Sequence, residues 1–211
     1  MSAAGNGLLD RLESGPVICA EGYLFELERR GYLQAGAYVP EVVLDHPEVV
    51  TELHREFVHA GSDVVPAFTY YAHREKMRVV GKEHLLEELN RTALTLAKEV
   101  GAESGALVAG DICNTNVFSE DEASRDAVRA MFEEQVGWAA EAGVDYVIAE
   151  TISYAEEALA ALRAIKEAAL PAAVTLAVHQ SPVTREGWTL AEAAKRLEDA
   201  GADIVGLNFM R

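Results

Sequence analysis

Acids, amides and aromatic hydroxyls recur in this chain directly after short apolar runs: Glu21-Gly22, Thr69-Tyr70-Tyr71, Asp111 followed by Asn114 and Asn116, Glu150, His179, and Asn208 ahead of Phe209. Two acids, Glu21 and Glu150, surrounded by amides and hydroxyls, suit a small polar ligand with an ammonium group, because carboxylates pair strongly with it where water is excluded. Tyr70 and Tyr71 add aromatic faces, which attract cations, quaternary ammonium included. Each of these residues also has an ordinary reading. Asp111 could cap a helix or sit in a solvated loop, and His179 could be a ligand, a base or a satisfied strand-end histidine. One of two adjacent tyrosines on a strand would face the core, since strand neighbours point opposite ways. Glu150 follows four apolar residues and has no partner nearby in sequence, so its functional reading is the strongest. Glu21, Asp111, Glu150 and His179 also read as oxygen and nitrogen ligands of a divalent metal in a lyase or hydrolase. No strand end offers a lysine, which argues against Schiff-base chemistry. No glycine-rich loop is present to cradle a phosphate. Cys19 reads as packed in a strand, and nothing near Cys113 in sequence would depress its pKa.

The elements that must position these residues show a repeat. Three helix-like stretches end in Ala-Gly-x-Asp, at residues 60–63, 142–145 and 200–203, and each runs into a short apolar strand. Glycine just past a helix takes the left-handed conformation that turns the chain, and the apolar run after it reads as a buried parallel strand. Six strands are predicted, at 17–20, 63–68, 106–109, 146–149, 173–178 and 204–207. Helical patterns separate them. The longest runs from about Lys82 to Val100, Ser119-Glu120-Asp121-Glu122 reads as a capped helix start, and Thr189 as another cap. Alternating strands and helices demand a parallel sheet with right-handed crossovers. Glu21-Gly22-Tyr23-Leu24 lacks the phosphate turn of a dinucleotide-binding sheet, so the expected fold is α/β, a (β/α)8 TIM-barrel type. The polar strand ends would then surround one mouth. Residues 1–211 read as a single domain holding the first six strands. A complete barrel takes roughly 250 residues, so the chain is expected to be the first three quarters of a longer protein, truncated after the sixth strand.

The chain carries 35 acidic against 18 basic residues, a formal charge of −17. Such a surface repels a phosphate backbone and argues against nucleic acid as a partner. No apolar run reaches the ~18 residues of a membrane span, and two cysteines suit reduced thiols better than a disulfide framework. A cytoplasmic protein with no membrane partner is expected. An incomplete barrel exposes strand edges, which predicts aggregation or pairing into homo-oligomers.

Several segments are specific enough to name a family. Phe25 to Tyr32, His46-Pro47-Glu48 through Phe57, Ala60 to Val65, and Phe68-Thr69-Tyr70-Tyr71-Ala72 closely resemble the homocysteine S-methyltransferases, nearest to those that use betaine. The resemblance implies a barrel in which zinc held by three cysteines binds the homocysteine thiolate, which takes a methyl group from an onium donor and becomes methionine. It implies that Glu150 contacts the homocysteine amino group, that Tyr71 helps hold betaine with Thr69 in the same segment, and that Tyr38 stands at a tryptophan of the donor cage. The family's Asp-Gly-Gly is here Ala20-Glu21-Gly22, which moves the acid by one position. The zinc cysteine after Asn is replaced, because Asn208 is followed by Phe209. The other two cysteines are expected beyond Arg211, so none of the zinc ligands lies in this chain. Phenylalanine cannot ligate zinc, and without the metal little homocysteine thiolate forms at neutral pH. The resemblance therefore implies either methyl transfer to homocysteine or a degenerate relative that binds an amino acid or betaine-like ligand without zinc chemistry.

Overall fold

The computed structural model describes residues 7–33, 40–178 and 182–208. The order of elements is α1 (Leu8–Ser14), α2 (Tyr23–Arg29), α3 (Val42–Asp45), α4 (Pro47–His59), β1 (Val64–Pro66), α5 (Arg74–Val79), α6 (Leu86–Ser104), β2 (Leu107–Cys113), α7 (Glu122–Ala142), β3 (Tyr146–Ile152), α8 (Ala155–Glu167), β4 (Ala172–Leu176), α9 (Leu190–Asp199) and β5 (Ile204–Leu207). The five strands form one sheet in the order β1-β2-β3-β4-β5, and every pair is parallel.

The first of the six predicted strands is a single bridge rather than a strand. Cys19 pairs with Val64, through Val64 N–H to the Ile18 carbonyl at 3.1 Å and Ala20 N–H to the Val64 carbonyl at 3.0 Å. The run is short because Gly22 turns into α2 with a positive φ of 85°, which ends extended pairing two residues after Ala20.

Other elements also differ from their expected bounds. β2 and β3 run on to Cys113 and Ile152, so Asp111 and Glu150 lie inside strands instead of just past them. The ladder tolerates both acids because their side chains face the concave side, where a pocket receives them. The long helix begins at Leu86 after a 3-10 turn at Glu83–Leu85 and extends to Ser104.

From β1 to β4 the sheet is largely buried on both faces, as a parallel sheet with crossover helices must be, while β5 is half-buried and Leu207 is exposed. On the convex side Val65, Val108, Ile112, Val147 and Val174 pack against α6 to α9, chiefly through Leu94, Phe132, Leu162, Ile165 and Leu197. On the concave side Val64, Leu107, Ala109, Tyr146 and Ala173 close over Leu8 of α1. Arg11 fixes α1 there by donating to the carbonyls of Gly105 at 2.8 Å and Asp63 at 3.4 Å. β2 comes especially close to α7: a Cβ at Gly110 would lie 2.9 Å from Ala139 Cβ and 3.3 Å from Val147 Cγ2.

The Ala-Gly-x-Asp repeat acts as a clip. Gly61, Gly143 and Gly201 have φ of 111°, 69° and 97° and turn the chain out of α4, α7 and α9. The aspartate two residues later reaches back to the preceding extended segment. Asp63 Oδ2 accepts from Ile18 N–H at 2.9 Å, Asp145 Oδ2 from Val108 N–H at 2.7 Å, and Asp203 Oδ2 from Ala172 N–H at 2.8 Å. In each case the aspartate's own N–H donates to the same segment, to the carbonyl of Ile18, Val108 or Ala172. Each repeat thus pins a new strand to its neighbour at the entry edge, leaving the opposite edge free to build a site.

The segment expected to open a capped helix does so from Asp121, whose carboxylate accepts from Ser124 N–H at 3.0 Å without a reciprocal box, and Thr189 forms a reciprocal capping box with Glu192. Among the described residues no helix is long and apolar enough to cross a membrane.

Candidate active site

At the C-terminal edge of β1, β2 and β3 a pocket of about 260 Å³ opens beside α2. Three carboxylates line it, buried Asp111, half-buried Glu150 and exposed Glu21, together with Tyr23, Phe25, Phe68, Tyr70, Tyr71, Pro66 and Ala67. Parallel pairing brings the acids together. Asp111 is opposite Ile148 and Cys113 opposite Glu150, so both acids lie on the concave face of adjacent strands, two residues apart in register. Glu21 enters from the turn that Gly22 makes into α2.

Burial raises all three acids, and repulsion adds to the rise at Asp111 and Glu150. Burial lifts Glu21 above its ordinary range. Glu150 is held up to about 8 by burial first and by Glu21 second, against the hydrogen bond from Asn208, which favours the charged form. Asp111 is raised well above the usual range by burial, then by Glu150 and Glu21. Among the described residues no lysine or arginine lines the pocket. The arrangement therefore favours a positively charged guest.

The last turn of Glu150's strand is irregular. The β3–β4 register shifts between Ala149 and Ile152, and Thr151 adopts a left-handed φ of 59°. Asn208, just past β5, holds this kink: its Nδ2 donates to Thr151 Oγ1 at 2.7 Å and to Glu150 Oε2 at 3.2 Å, while its Oδ1 accepts from Thr151 N–H at 3.2 Å. A strained residue fixed by a side chain from another strand is a device for aiming its neighbour, here the Glu150 carboxylate.

Of the residues singled out from sequence, Glu21, Gly22, Tyr70, Tyr71 and Glu150 line the pocket. Both tyrosines do so because they sit in a turn after β1 rather than on a strand, so the expectation that one would face the core gives way. Their ring centroids are 4.4 Å apart at 61°, and Lys76 Nζ lies 4.1 Å from the Tyr71 ring centroid. Thr69 and Asn208 stand behind the pocket. Thr69 is buried and donates from Oγ1 to the Asp111 carbonyl at 2.6 Å, tying the tyrosine turn to β2. Tyr38, His179 and Phe209 lie outside the described residues.

Both thiols are held in the neutral form. Burial first, then Glu21, pushes Cys19 up to about 12, and burial with Asp111 pushes Cys113 up well above its ordinary value. Cys113 Sγ contacts the Tyr70 carbonyl at 2.6 Å, a structural role.

Sequence reasoning missed the Tyr23–His54 pair. Tyr23 walls the pocket, its hydroxyl is 2.8 Å from His54 Nδ1, and its ring packs with Phe57 and Phe68. His54 is fully buried, and burial lowers its pKa to about 3, so it is a neutral hydrogen-bond partner. The available signal was its place on the apolar face of α4, beside Val50, Leu53 and Phe57.

The donor set does not make a zinc site. Among the described residues no three of the His, Cys, Asp or Glu side chains are grouped to hold a metal ion, and the position that resemblance gives to the first zinc cysteine carries Phe209, which has no donor atom.

A family model described as homocysteine S-methyltransferase matches residues 18–211. The chain belongs to that family. It is 41% identical over 208 residues to the S-methylmethionine–homocysteine S-methyltransferase of Pongo abelii, covering 97% of this chain and 55% of that one. To betaine–homocysteine S-methyltransferase 1 of Xenopus tropicalis it is 38% identical over 212 residues, covering 98% and 52%. The chain thus spans about half the length of these curated relatives. Its fold matches the metallated form of the homocysteine methyltransferase MmuM from Escherichia coli with a TM-score of 0.81 at 21% identity, over 94% of this chain and 76% of that one.

Proposed function

We propose that this chain carries the substrate-binding part of a (β/α)8-barrel methyltransferase that moves a methyl group from a small onium donor to the thiol of homocysteine, giving methionine. The observation that carries the reading is the pocket: carboxylates among aromatic rings, in a chain of this family. Glu150, aimed by Asn208 and Thr151, holds the amino group of the amino acid, with Glu21 beside it. Tyr70 and Tyr71 present ring faces to the onium methyls, and Tyr38 is proposed to add a third. In the reaction the sulfur of homocysteine forms a bond to the methyl carbon, the carbon–nitrogen or carbon–sulfur bond of the donor breaks with its electron pair staying on the leaving amine or sulfide, and the thiol proton is lost to solvent. The chain's own part is to bind, orient and exclude water from the two partners, which accelerates such a transfer by holding them in line. A cytoplasmic setting accords with two unpaired thiols.

Phe209 favours a second reading, a family member that keeps the pocket and binds an amino acid or betaine-like ligand without the zinc-dependent step. Calorimetry with L-homocysteine, followed by a methionine assay with betaine or S-methylmethionine as donor, separates the two. Binding that falls at least tenfold in Glu150→Ala together with methionine formation supports methyl transfer. Binding without methionine supports the second reading. Absence of homocysteine binding in a folded wild-type protein sinks methyl transfer, and absence of betaine binding as well, by the same calorimetry, sinks the second reading.

A further inference from the structure

Asp111 is the least satisfied group in the pocket. It is 8% exposed, it lines the pocket, and its Oδ1 is buried with no hydrogen-bond partner among the described residues. By contrast, Glu150 takes a hydrogen bond from Asn208. A buried carboxylate without donors or a countercharge is costly, and the cost is relieved only when donors arrive or the group is neutralised. Among the described residues no lysine or arginine lines the pocket and the three acids do not converge as metal ligands, so the empty pocket offers only a proton as relief. A quaternary ammonium would leave Oδ1 unbonded, since it has no N–H, and the tyrosine faces already suit such a group. An ammonium bearing N–H groups meets the need.

We infer that Asp111 is a further specificity-determining residue of this site, a third carboxylate that selects a ligand carrying an N–H-bearing ammonium group and turns its carboxylate into the pocket to receive one of that group's hydrogens. The inference rests on the binding role proposed above and assigns it a residue that role did not include. It also gives the site a proton balance. Glu21, Cys19, Tyr23, Tyr146, Glu150 and Cys113 are the titratable groups facing Asp111, and none is cationic. The empty pocket therefore keeps a proton on the Asp111–Glu150 pair. An entering ammonium displaces that proton to the buffer.

The test compares wild type with Asp111→Asn, using three probes: L-homocysteine, n-butylammonium, and 4-sulfanylbutanoate, which keeps the thiol and carboxylate but lacks the amino group. In Asp111→Asn both amines should bind about tenfold more weakly or worse, the loss of a charge-assisted hydrogen bond, while 4-sulfanylbutanoate binds as before. Calorimetry in buffers of different ionisation enthalpy should show clearly more proton release with wild type than with the variant, in which only the Glu150 proton remains to be displaced. A merely structural Asp111 would not produce that difference. Wild-type protein alone provides a second measurement, since the carboxyl carbon resonance of Asp111 should shift on adding n-butylammonium. Amine binding within twofold of wild type in the folded variant, or an unmoved Asp111 resonance, overturns the assignment. Asp111-dependent binding of n-butylammonium without homocysteine binding would retain Asp111 and remove the methyltransferase reading. If wild type binds neither amine, the assignment falls.

Discussion

Gly110→Ala tests whether the strand that carries Asp111 is held by direct backbone-level contact with α7. The new methyl would sit 2.9 Å from Ala139 Cβ, well inside contact distance, and 3.3 Å from Val147 Cγ2. Neither neighbour can swing away: one is an alanine, the other a β-branched residue inside a strand. Overpacking of this kind costs about 1–3 kcal/mol. Replacing glycine restricts the unfolded chain and returns about 0.4–1 kcal/mol. The expected net loss is therefore about 1–2 kcal/mol. Ala139→Gly alone should cost about 1 kcal/mol of helix propensity while opening the space the methyl needs. In the double variant the 2.9 Å clash is gone and only the 3.3 Å approach to Val147 Cγ2 remains, so its loss should fall short of the sum of the two single losses by about 1 kcal/mol, outside the few tenths expected of independent sites. Urea unfolding of the four proteins measures this, with unchanged m-values confirming that the shifts in midpoint are shifts in stability. A Gly110→Ala midpoint at or above the parent's, or strict additivity in the cycle, would refute the close-approach argument.

Two further outcomes follow from the site and the caps. The Glu150 carboxyl is raised from 4.5 to about 8 in the folded protein, so the folded state holds its proton to higher pH than the unfolded chain, and this contribution to stability is lost as pH rises towards about 8. Glu150→Gln should flatten that decline in urea unfolding at pH 5, 7 and 9, and parallel pH profiles would contradict the assigned shift. Thr189→Ala removes the side-chain acceptor for Glu192 N–H at 3.2 Å and should lower stability by about 1 kcal/mol, read from the same unfolding curves; no change would mean that α9 is held without its cap.

The repeat of Ala-Gly-x-Asp was legible because glycine and aspartate mark helix exits locally. What the aspartate does was not, since the N–H it takes lies 31 to 45 residues earlier in the chain. The caps at Asp121 and Thr189 were readable for the opposite reason: each is complete within three residues. Asp111 and Glu150 were expected past the ends of their strands because acids usually stop an apolar run. Tertiary structure overrode that local signal by providing a pocket for them to face. The first predicted strand shrank to one bridge because the turn at Gly22 comes too soon for a longer pairing. Tyr23 and His54, 31 residues apart, look like ordinary core residues until the fold brings them together at the pocket wall.

Asn208 ties Glu150 to a residue 58 positions away, reaching past β4 while its own N–H donates to the Leu176 carbonyl at 3.0 Å. That reach makes the site depend on β5. A chain whose β5 is displaced leaves Glu150 without its amide donor and Thr151 without its clamp, so a ligand meets an aimed carboxylate only on chains whose β5 is in place. Because the amide favours the charged form, the titration of Glu150 becomes a spectroscopic report of whether β5 is docked.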